Sequence, residues 1–568
     1  MEGVETSMNL LTENWLPLRA RNGETRYASP AEVADPAIVD LALPRADFQG
    51  AAYQWLIGLL QTALPPRHHV DWLERLTRPP DQKTLEEAFA PFLPAFELDG
   101  DGPRFMQDLD PLDDAKPSPV AGLLIDAPGA NGIKNNTDFF VKRGGTEVMC
   151  PDCAAMALFT MQINAPSGGA GYRVGLRGGG PLTTLILPED GNASLWQRLW
   201  LNVMPASVFD RDGQSYAEPS AEEGTLFPWM VPTLESKAKN TEVFPEHMHP
   251  LHPYWAMPRR FRLMIEDQPC RCDLCGRQAD RSVREVKAKN YGANYAGPWL
   301  HPLTPYRTDP KKPQEPPLSS KGQPGGIGYR NWPYLVLPDP ANTGALPATV
   351  VRDFLGAKYQ ISKDERAWGK NVEALLTRPR LWVFGYDMDN MKARCWYGTE
   401  MPLVILPEAL QDVFRQAVQH FCELTRQVVW FTRTQIKNAW FERPGDTKGD
   451  TSYLEAQLYE NTEGAFFQAL ESIKAVLIEH GETADLSGPA DAWFRALRAA
   501  SLALFEDQVL TAAQEALNWP RVVSARGRLL AFLSGQGKGV KPITKFASEY
   551  DVPLTRSERD TNKREEAV

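Results

Sequence analysis

Long apolar runs are missing. No stretch of about 18 consecutive apolar residues occurs among the 568, so a membrane-spanning helix is not expected. No charged-then-apolar leader opens the sequence either, and the expected location is the cytoplasm. Cysteine is scarce: seven residues, an odd number that suits a reducing compartment better than a disulfide framework. Positive charge is in the minority, 61 Lys and Arg against 72 Asp and Glu, for a formal net charge of -11. That balance argues against a protein that coats nucleic acid non-specifically, so any such contact must be local. Enzyme signatures are absent as well. There is no GxSxG elbow, Walker loop, HExxH pair or dinucleotide GxGxxG after a strand, and SGQGK from Ser534 follows a helical pattern with the wrong spacing. No internal repeat occurs.

What is present begins with the cysteines. Five of the seven sit in two knots, Cys150-Pro-Asp-Cys153 and Cys270-Arg-Cys272-Asp-Leu-Cys275. A CxxC turn presents two thiolates, and a tetrahedral Zn²⁺ needs two such turns. The knots lie much further apart than the about 15–20 residues that close an ordinary zinc ribbon. The metal expected on Cys150, Cys153, Cys272 and Cys275 is therefore a staple between distant stretches of one domain. Four thiolates leave no open position for water or substrate, so its role is structural. Cys270 is a spare that could exchange with Cys272, and Cys395 and Cys422 read as buried thiols.

A hydrophobic content of 43% with 10% aromatics can bury large cores. Up to about residue 402, short apolar runs such as Leu182–Leu187, Tyr334–Leu337 and Leu381–Phe384 alternate with Pro and Gly, as expected for strands and short helices of an irregular domain. Thr308–Gly328 reads as a surface loop or linker. From 403 to 548 the period changes. Leu410, Phe414, Ala417, Phe421, Leu424 and Val428 step by three or four, as do Leu454, Leu458, Phe466, Leu470, Ile473 and Leu477 with one gap. With a third stripe (Trp493, Leu497, Ala500, Leu504) and a fourth over Val522–Leu533, the expectation is an antiparallel four-helix bundle. The class is thus α+β: a large mixed domain over 8–402 holding the metal staple, an all-α bundle, and a charged tail over 549–568 expected to be disordered.

Cationic groups cluster locally. Arg281, Arg284, Lys287 and Lys289 follow the second knot; Lys142, Arg143, Arg173 and Arg177 flank a glycine-rich loop; Arg521, Arg526, Arg528, Lys538, Lys541 and Lys545 run without an intervening acid. Solvated surface is the plain reading of each. Glu246, His247, His249 and His252 could bind a metal, but a Pro-rich surface loop is favoured. Asp108, Asp110, Asp113 and Asp114 lack the glycine and terminal Glu of a calcium loop and read as a solvated loop.

The segments Met8–Leu18 (MNLLTENWLPL), Phe105-Met-Gln107, the paired CxxC knots, GLRGGGPLTT from Gly175, WLHPLTP from Trp299 and GYDMDNMKARCWY from Gly385 occur in this order. Together they resemble the CasA family, the large subunit of the type I-E CRISPR surveillance complex Cascade. The resemblance implies a non-catalytic subunit that reads the protospacer-adjacent motif (PAM) in the minor groove of target DNA, starts opening the duplex for the guide RNA, and provides the landing site for a helicase-nuclease. Its partners would be the CRISPR RNA and the backbone, small and guide-end subunits. The family's glycine loop falls on Ser167, Gly168, Gly169 and Ala170. Its lysine finger falls on Asn290, with Lys289 one step away and better suited as a long cationic donor. Its wedge falls on Asp387–Met391, chiefly Asp389, Asn390 and Met391. Phe139, Phe140 and Val141 match the loop that docks on the guide-RNA end, and the basic run from Arg521 to Lys545 would meet the displaced strand or other subunits. Two further readings stand beside this one: a zinc-stapled nuclease or RNA-processing enzyme, and a scaffold without DNA contact.

Overall fold

The computed structural model describes residues 7–554 apart from 137, 139–142, 338–343, 359–375, 377, 390–391, 447 and 512–517. The chain divides into two units, Met1–Pro324 with Tyr334–Glu400, and Gly325–Pro333 with Met401–Val568.

The N-terminal unit mixes short sheets with buried helices. In chain order it contains β1 (Leu16–Ala20), β2 (Thr25–Ala28), β3 (Ile38–Leu41), α1 (Ala46–Ala63), α2 (Pro151–Asn164), β4 (Thr183–Leu187), β5 (Arg260–Glu266), β6 (Cys270–Arg271), β7 (Gln278–Ala279), β8 (Ser282–Lys289), β9 (Arg380–Asp389) and the start of β10 (Lys392–Pro402). The sheets run β2-β1-β3, β10-β9-β4, the hairpin β6-β7, and β8 flanked by β5 and the two-residue strand Ser118–Pro119. Helices α1 and α2 pack on each other, and both are buried nearly all round, the pattern of a core helix rather than an amphipathic surface one. Around Trp55 of α1 the rings of Trp15, Phe96, Phe105, Trp229 and Trp255 interlock, mostly edge to face at 5.2–6.5 Å; such pairs each add about 0.5–1.5 kcal/mol beyond area burial.

Of the short apolar runs, Leu182–Leu187 and Leu381–Phe384 fall largely in strands, and Tyr334–Leu337 overlaps the short helix Trp332–Val336, where Pro333 sits well in a first helical turn. Thr308–Gly328 is a largely exposed loop that is tied down at several points. Leu318–Ser319 pairs with Tyr306–Arg307, and Lys321 and Gly322 bridge to Pro181 and Asp387.

The second unit is helical: α3 (Glu408–Trp440), α4 (Ser452–His480), α5 (Ser487–Glu506), α6 (Trp519–Leu533) and a short α7 (Lys541–Glu549). The stripes of the first two helices are buried throughout. Phe431 of α3 stacks on Phe532 of α6 at 3.9 Å. The segment Gly325–Pro333 inserts Tyr329 into the core, stacked on Phe466 at 4.3 Å with its hydroxyl 2.8 Å from Thr462 Oγ1. The four long helices are joined by a fifth, and the first residues of the expected tail are packed. Tyr550 packs on Phe421 and bonds His420 Nδ1 at 2.9 Å, and Val552 is buried, so apolar residues hold the chain to 554. The rest of the expected tail lies outside the described residues. Among the described residues no helix is long and apolar enough to cross a membrane.

Candidate metal centre and nucleic-acid interface

The two cysteine knots meet. Cys150 caps α2 in extended conformation with Pro151 at the first helical position, which leaves Cys153 in the first turn facing the same way. Cys272 and Cys275 occupy the turn of the β6–β7 hairpin, closed by Cys272 N–H donating to Arg277 O at 2.8 Å and Gly276 N–H to Cys272 O at 2.9 Å, with Gly276 left-handed at φ 72. The four Sγ atoms all lie within 4.8 Å of one another. Zn–S bonds of about 2.3 Å put tetrahedral sulfurs about 3.8 Å apart, and Cys150 Sγ to Cys275 Sγ is 3.8 Å. The thiol set therefore fits a tetrahedral metal. Four thiols packed this closely, three of them buried, can all ionise only with a cation among them. Cys270 stands outside the set, its Sγ 3.5 Å from Arg281 O.

Bonds around the cluster tie the knots together independently. Asp273 Oδ2 accepts from Glu147 N and Val148 N at 2.7 and 2.9 Å, Met149 pairs with Val283 of β8, and Arg277 bridges Asp152 at 2.8 Å while lying 3.7 Å over the Tyr27 ring. These contacts fix the N-terminal end of α2 beside the start of β8.

At the other ends of α2 and β8 the glycine loop and the lysine strand touch. Ser167, Gly168, Gly169 and Ala170 are all exposed. Asn290 Nδ2 donates to Ala170 O at 2.8 Å and Tyr291 N–H to Gly171 O at 2.7 Å. Tyr291 is left-handed at φ 65, a costly state for a residue with a β-carbon. Lys289 points instead to Asp114, Nζ to Oδ2 2.9 Å, with its side chain 34% exposed; that bond holds Asp114 below the usual carboxylate range. The structure thus gives Asn290 the job of clasping the loop and leaves Lys289 as the adjacent surface cation. A Cβ on Gly171, at φ 80, would stand 2.9 Å from Asn290 Cβ and 3.1 Å from the Tyr291 ring. Gly171→Ala should therefore cost about 1–3 kcal/mol and speed amide exchange at Tyr172 and Tyr291, with global exchange elsewhere little changed.

The segment expected to act as the wedge, 387–391, joins β9 to β10. Arg394 clamps Asp387 at 2.7 Å and reaches Asp389 at 3.6 Å; Asn390 and Met391 lie outside the described residues, as do Phe139, Phe140 and Val141. The two arginines that follow the glycine loop in sequence, Arg173 and Arg177, are spent internally. Buried Arg177 donates to Thr183, Thr304 and Gln54, and Arg173 holds Ser236. In the helical unit Arg521 caps the end of α3 by donating to Ala439 O and Trp440 O, both at 2.9 Å, and Arg526 pairs with Glu506 at 2.8 Å. Arg528, Lys538, Lys541 and Lys545 are exposed.

Two expected surface loops are exposed in part, at Glu246 and His247 in one and at Asp110, Asp113 and Asp114 in the other, and each is anchored by buried residues. His249 and His252 are buried and bonded to main-chain carbonyls of Ala217 and Thr225, and burial pushes His252 down to about 4, the state of a neutral core histidine. The acidic loop is anchored by Asp108, buried against Arg260, while Asp113 and Asp114 meet Lys287 and Lys289. Sequence reasoning missed this pairing. Its only trace is the period-two alternation of Arg260 and Arg262 and of Lys287 and Lys289.

Residues 9–504 match the model of the CRISPR-associated protein Cse1 family. Among solved structures, CasA (Cse1) of Thermus thermophilus is similar at 19% identity, covering 96% of this chain and 99% of that one with a TM-score of 0.63. Cse1 of Acidimicrobium ferrooxidans follows at 16% identity, 96% and 99% coverage and a TM-score of 0.59. A chain of a CRISPR RNA-guided surveillance complex in its pre-nicking state is 15% identical, with 93% and 98% coverage and a TM-score of 0.56.

Proposed function

The chain belongs to the CRISPR-associated protein Cse1 family, and from that premise we propose that it is the DNA-recognition subunit of a type I-E CRISPR surveillance complex in the cytoplasm. It reads the PAM on double-stranded DNA through the minor groove, begins duplex opening, and offers a landing site to a helicase-nuclease. Catalysis is left to that partner.

The observation that carries this reading is the junction of the exposed loop Ser167–Ala170 with the end of β8, where Lys289 stands beside the Asn290 clasp. A nearly side-chain-free backbone can enter a groove that a bulkier loop cannot, and a long cation beside it can reach the acceptors of base edges. Because the minor-groove pattern is degenerate, such a reader tolerates several PAMs. The segment with Asp389, Asn390 and Met391 supplies the wedge beside the first base pair. Phe139, Phe140 and Val141 dock on the guide-RNA end, and Arg528, Lys538, Lys541 and Lys545 meet the displaced strand or neighbouring subunits. Zinc on Cys150, Cys153, Cys272 and Cys275 is scaffolding that fixes the glycine loop relative to β8. The division of labour is that of RNA-guided recognition: protein reads the PAM and base pairing reads the remainder.

Lys289→Ala tests it. Loss of groove contacts worth about 1–3 kcal/mol should weaken binding of the reconstituted complex to PAM-bearing duplex far more than to a pre-opened bubble. Equal loss on both substrates would reduce Lys289 to a general phosphate contact.

A further inference from the structure

Strands β5 and β8 place four cations on one face. Lys287 lies opposite Arg262 and Lys289 opposite Arg260, and directly opposed residues of an antiparallel pair share a face. The segment from Asp108 to Pro119 lies along this face and is fixed at both ends. Asp108 is buried against Arg260 and donates its N–H to Phe261 O at 2.9 Å. Ser118 and Pro119 pair with Val286 and Glu285. Between these anchors Leu112 is fully buried yet left-handed at φ 54, a conformation that a residue with a β-carbon holds only where its surroundings impose it. The turn at Leu112 delivers Asp113 Oδ1 to Lys287 Nζ at 2.8 Å and Asp114 Oδ2 to Lys289 Nζ at 2.9 Å. The acids lie on the solvent side, 80% and 69% exposed against 19% and 34% for their lysines. A DNA phosphate approaching either lysine would have to take the carboxylate's place.

We propose that Asp113 and Asp114 form a built-in competitor for DNA phosphate, an autoinhibitory cover on Lys287 and Lys289 that limits the affinity of this face for any duplex. The inference rests on the reading that Lys289 meets DNA. Each internal pair is surface-exposed and weak, so phosphates held in register by other contacts displace it, whereas a passing duplex gains little. The effect is a low common affinity and short residence on DNA that lacks further contacts. Plain relief of repulsion among the four cations is the competing account, and it makes the opposite prediction: neutralising the acids would only loosen the fold.

The test uses the complex reconstituted with guide RNA, comparing wild type, D113N/D114N and K289A on PAM-bearing duplex and on duplex with a scrambled PAM. The double variant should bind both duplexes about three- to tenfold more tightly at low salt, with slower dissociation from the scrambled one. The gain should shrink as salt screens the acid–phosphate contact. Unchanged or weaker binding by D113N/D114N, while K289A still impairs binding to the PAM-bearing duplex, overturns the cover and leaves the proposed function standing. A K289A variant with wild-type affinity overturns both. Should the double variant fail to assemble, D114N alone carries the test, because it uncovers Lys289.

Discussion

Cys153→Ser should yield protein that carries no stoichiometric metal and whose N-terminal unit melts far below wild type or does not accumulate folded. Wild-type protein should carry about one zinc per chain, the load of a single four-thiolate site. The size of the effect follows from linkage. Structural zinc binding, coupled to folding, is worth about 10–16 kcal/mol in zinc-finger peptides, as much as the whole margin of about 5–15 kcal/mol that keeps an ordinary domain folded. The N-terminal unit has a large aromatic core of its own, so part of the fold can survive without metal, but Cys150, Cys153 and Cys272 are buried and would then face one another uncompensated. The helical unit contains none of these ligands and should keep its helical signal. Cys270→Ser is the control: its sulfur bonds Arg281 O and lies outside the four-thiol set, so metal content should be unchanged. A wild-type protein that is well folded and free of metal would rule out the staple.

How much of this was legible in the sequence depends on the range of the interaction that decides each element. The helical unit was legible because 3.6-residue periodicity is local: Leu410 to Val428 and Leu454 to Leu477 are buried as their spacing requires. The four ligands were legible because two CxxC turns carry their own geometry. Tyr334–Leu337 could be read only as strand or short helix, because its run is too short to show a period. Charge alone misled. Arg177 and Arg521 look like phosphate-facing cations in the sequence, yet one is buried among hydroxyls and an amide and the other caps a helix, and nothing local reports burial. Tyr550 and Val552 look like part of a polar tail, yet Tyr550 packs on Phe421 and bonds His420, both far away in sequence, and Val552 is buried. The cover over Lys287 and Lys289 was invisible for the same reason. Aspartates in a Pro-containing loop read as solvated until a distant strand is laid beside them.

Arg260→Ala should cost the N-terminal unit about 3–5 kcal/mol, the range for breaking a buried ion pair by removing one partner. Arg260 is 2% exposed and Asp108 1%, and the guanidinium also reaches Glu235 and, at 3.3 Å, Asp110. Without Arg260 the Asp108 carboxylate keeps one bond, from Asp110 N–H at 3.0 Å, and a charge in that setting is either uncompensated or neutralised at a cost. The penalty is therefore that of a stranded acid rather than of a lost attraction, and this distinction can be measured. Asp108→Asn combined with Arg260→Met removes both charges, and since apolar replacement of a whole buried pair is often neutral or stabilising, the double variant should recover much of the loss. Equilibrium denaturation of the four corners of the cycle gives the coupling directly. A single-variant loss below about 1 kcal/mol would put the pair in the class of exposed surface bridges. The anchor also holds the acid cover in place, so Arg260→Ala should free Asp113 and Asp114 from their lysines. Its DNA affinity at low salt should then rise while its stability falls, a divergence that a simple folding defect does not produce.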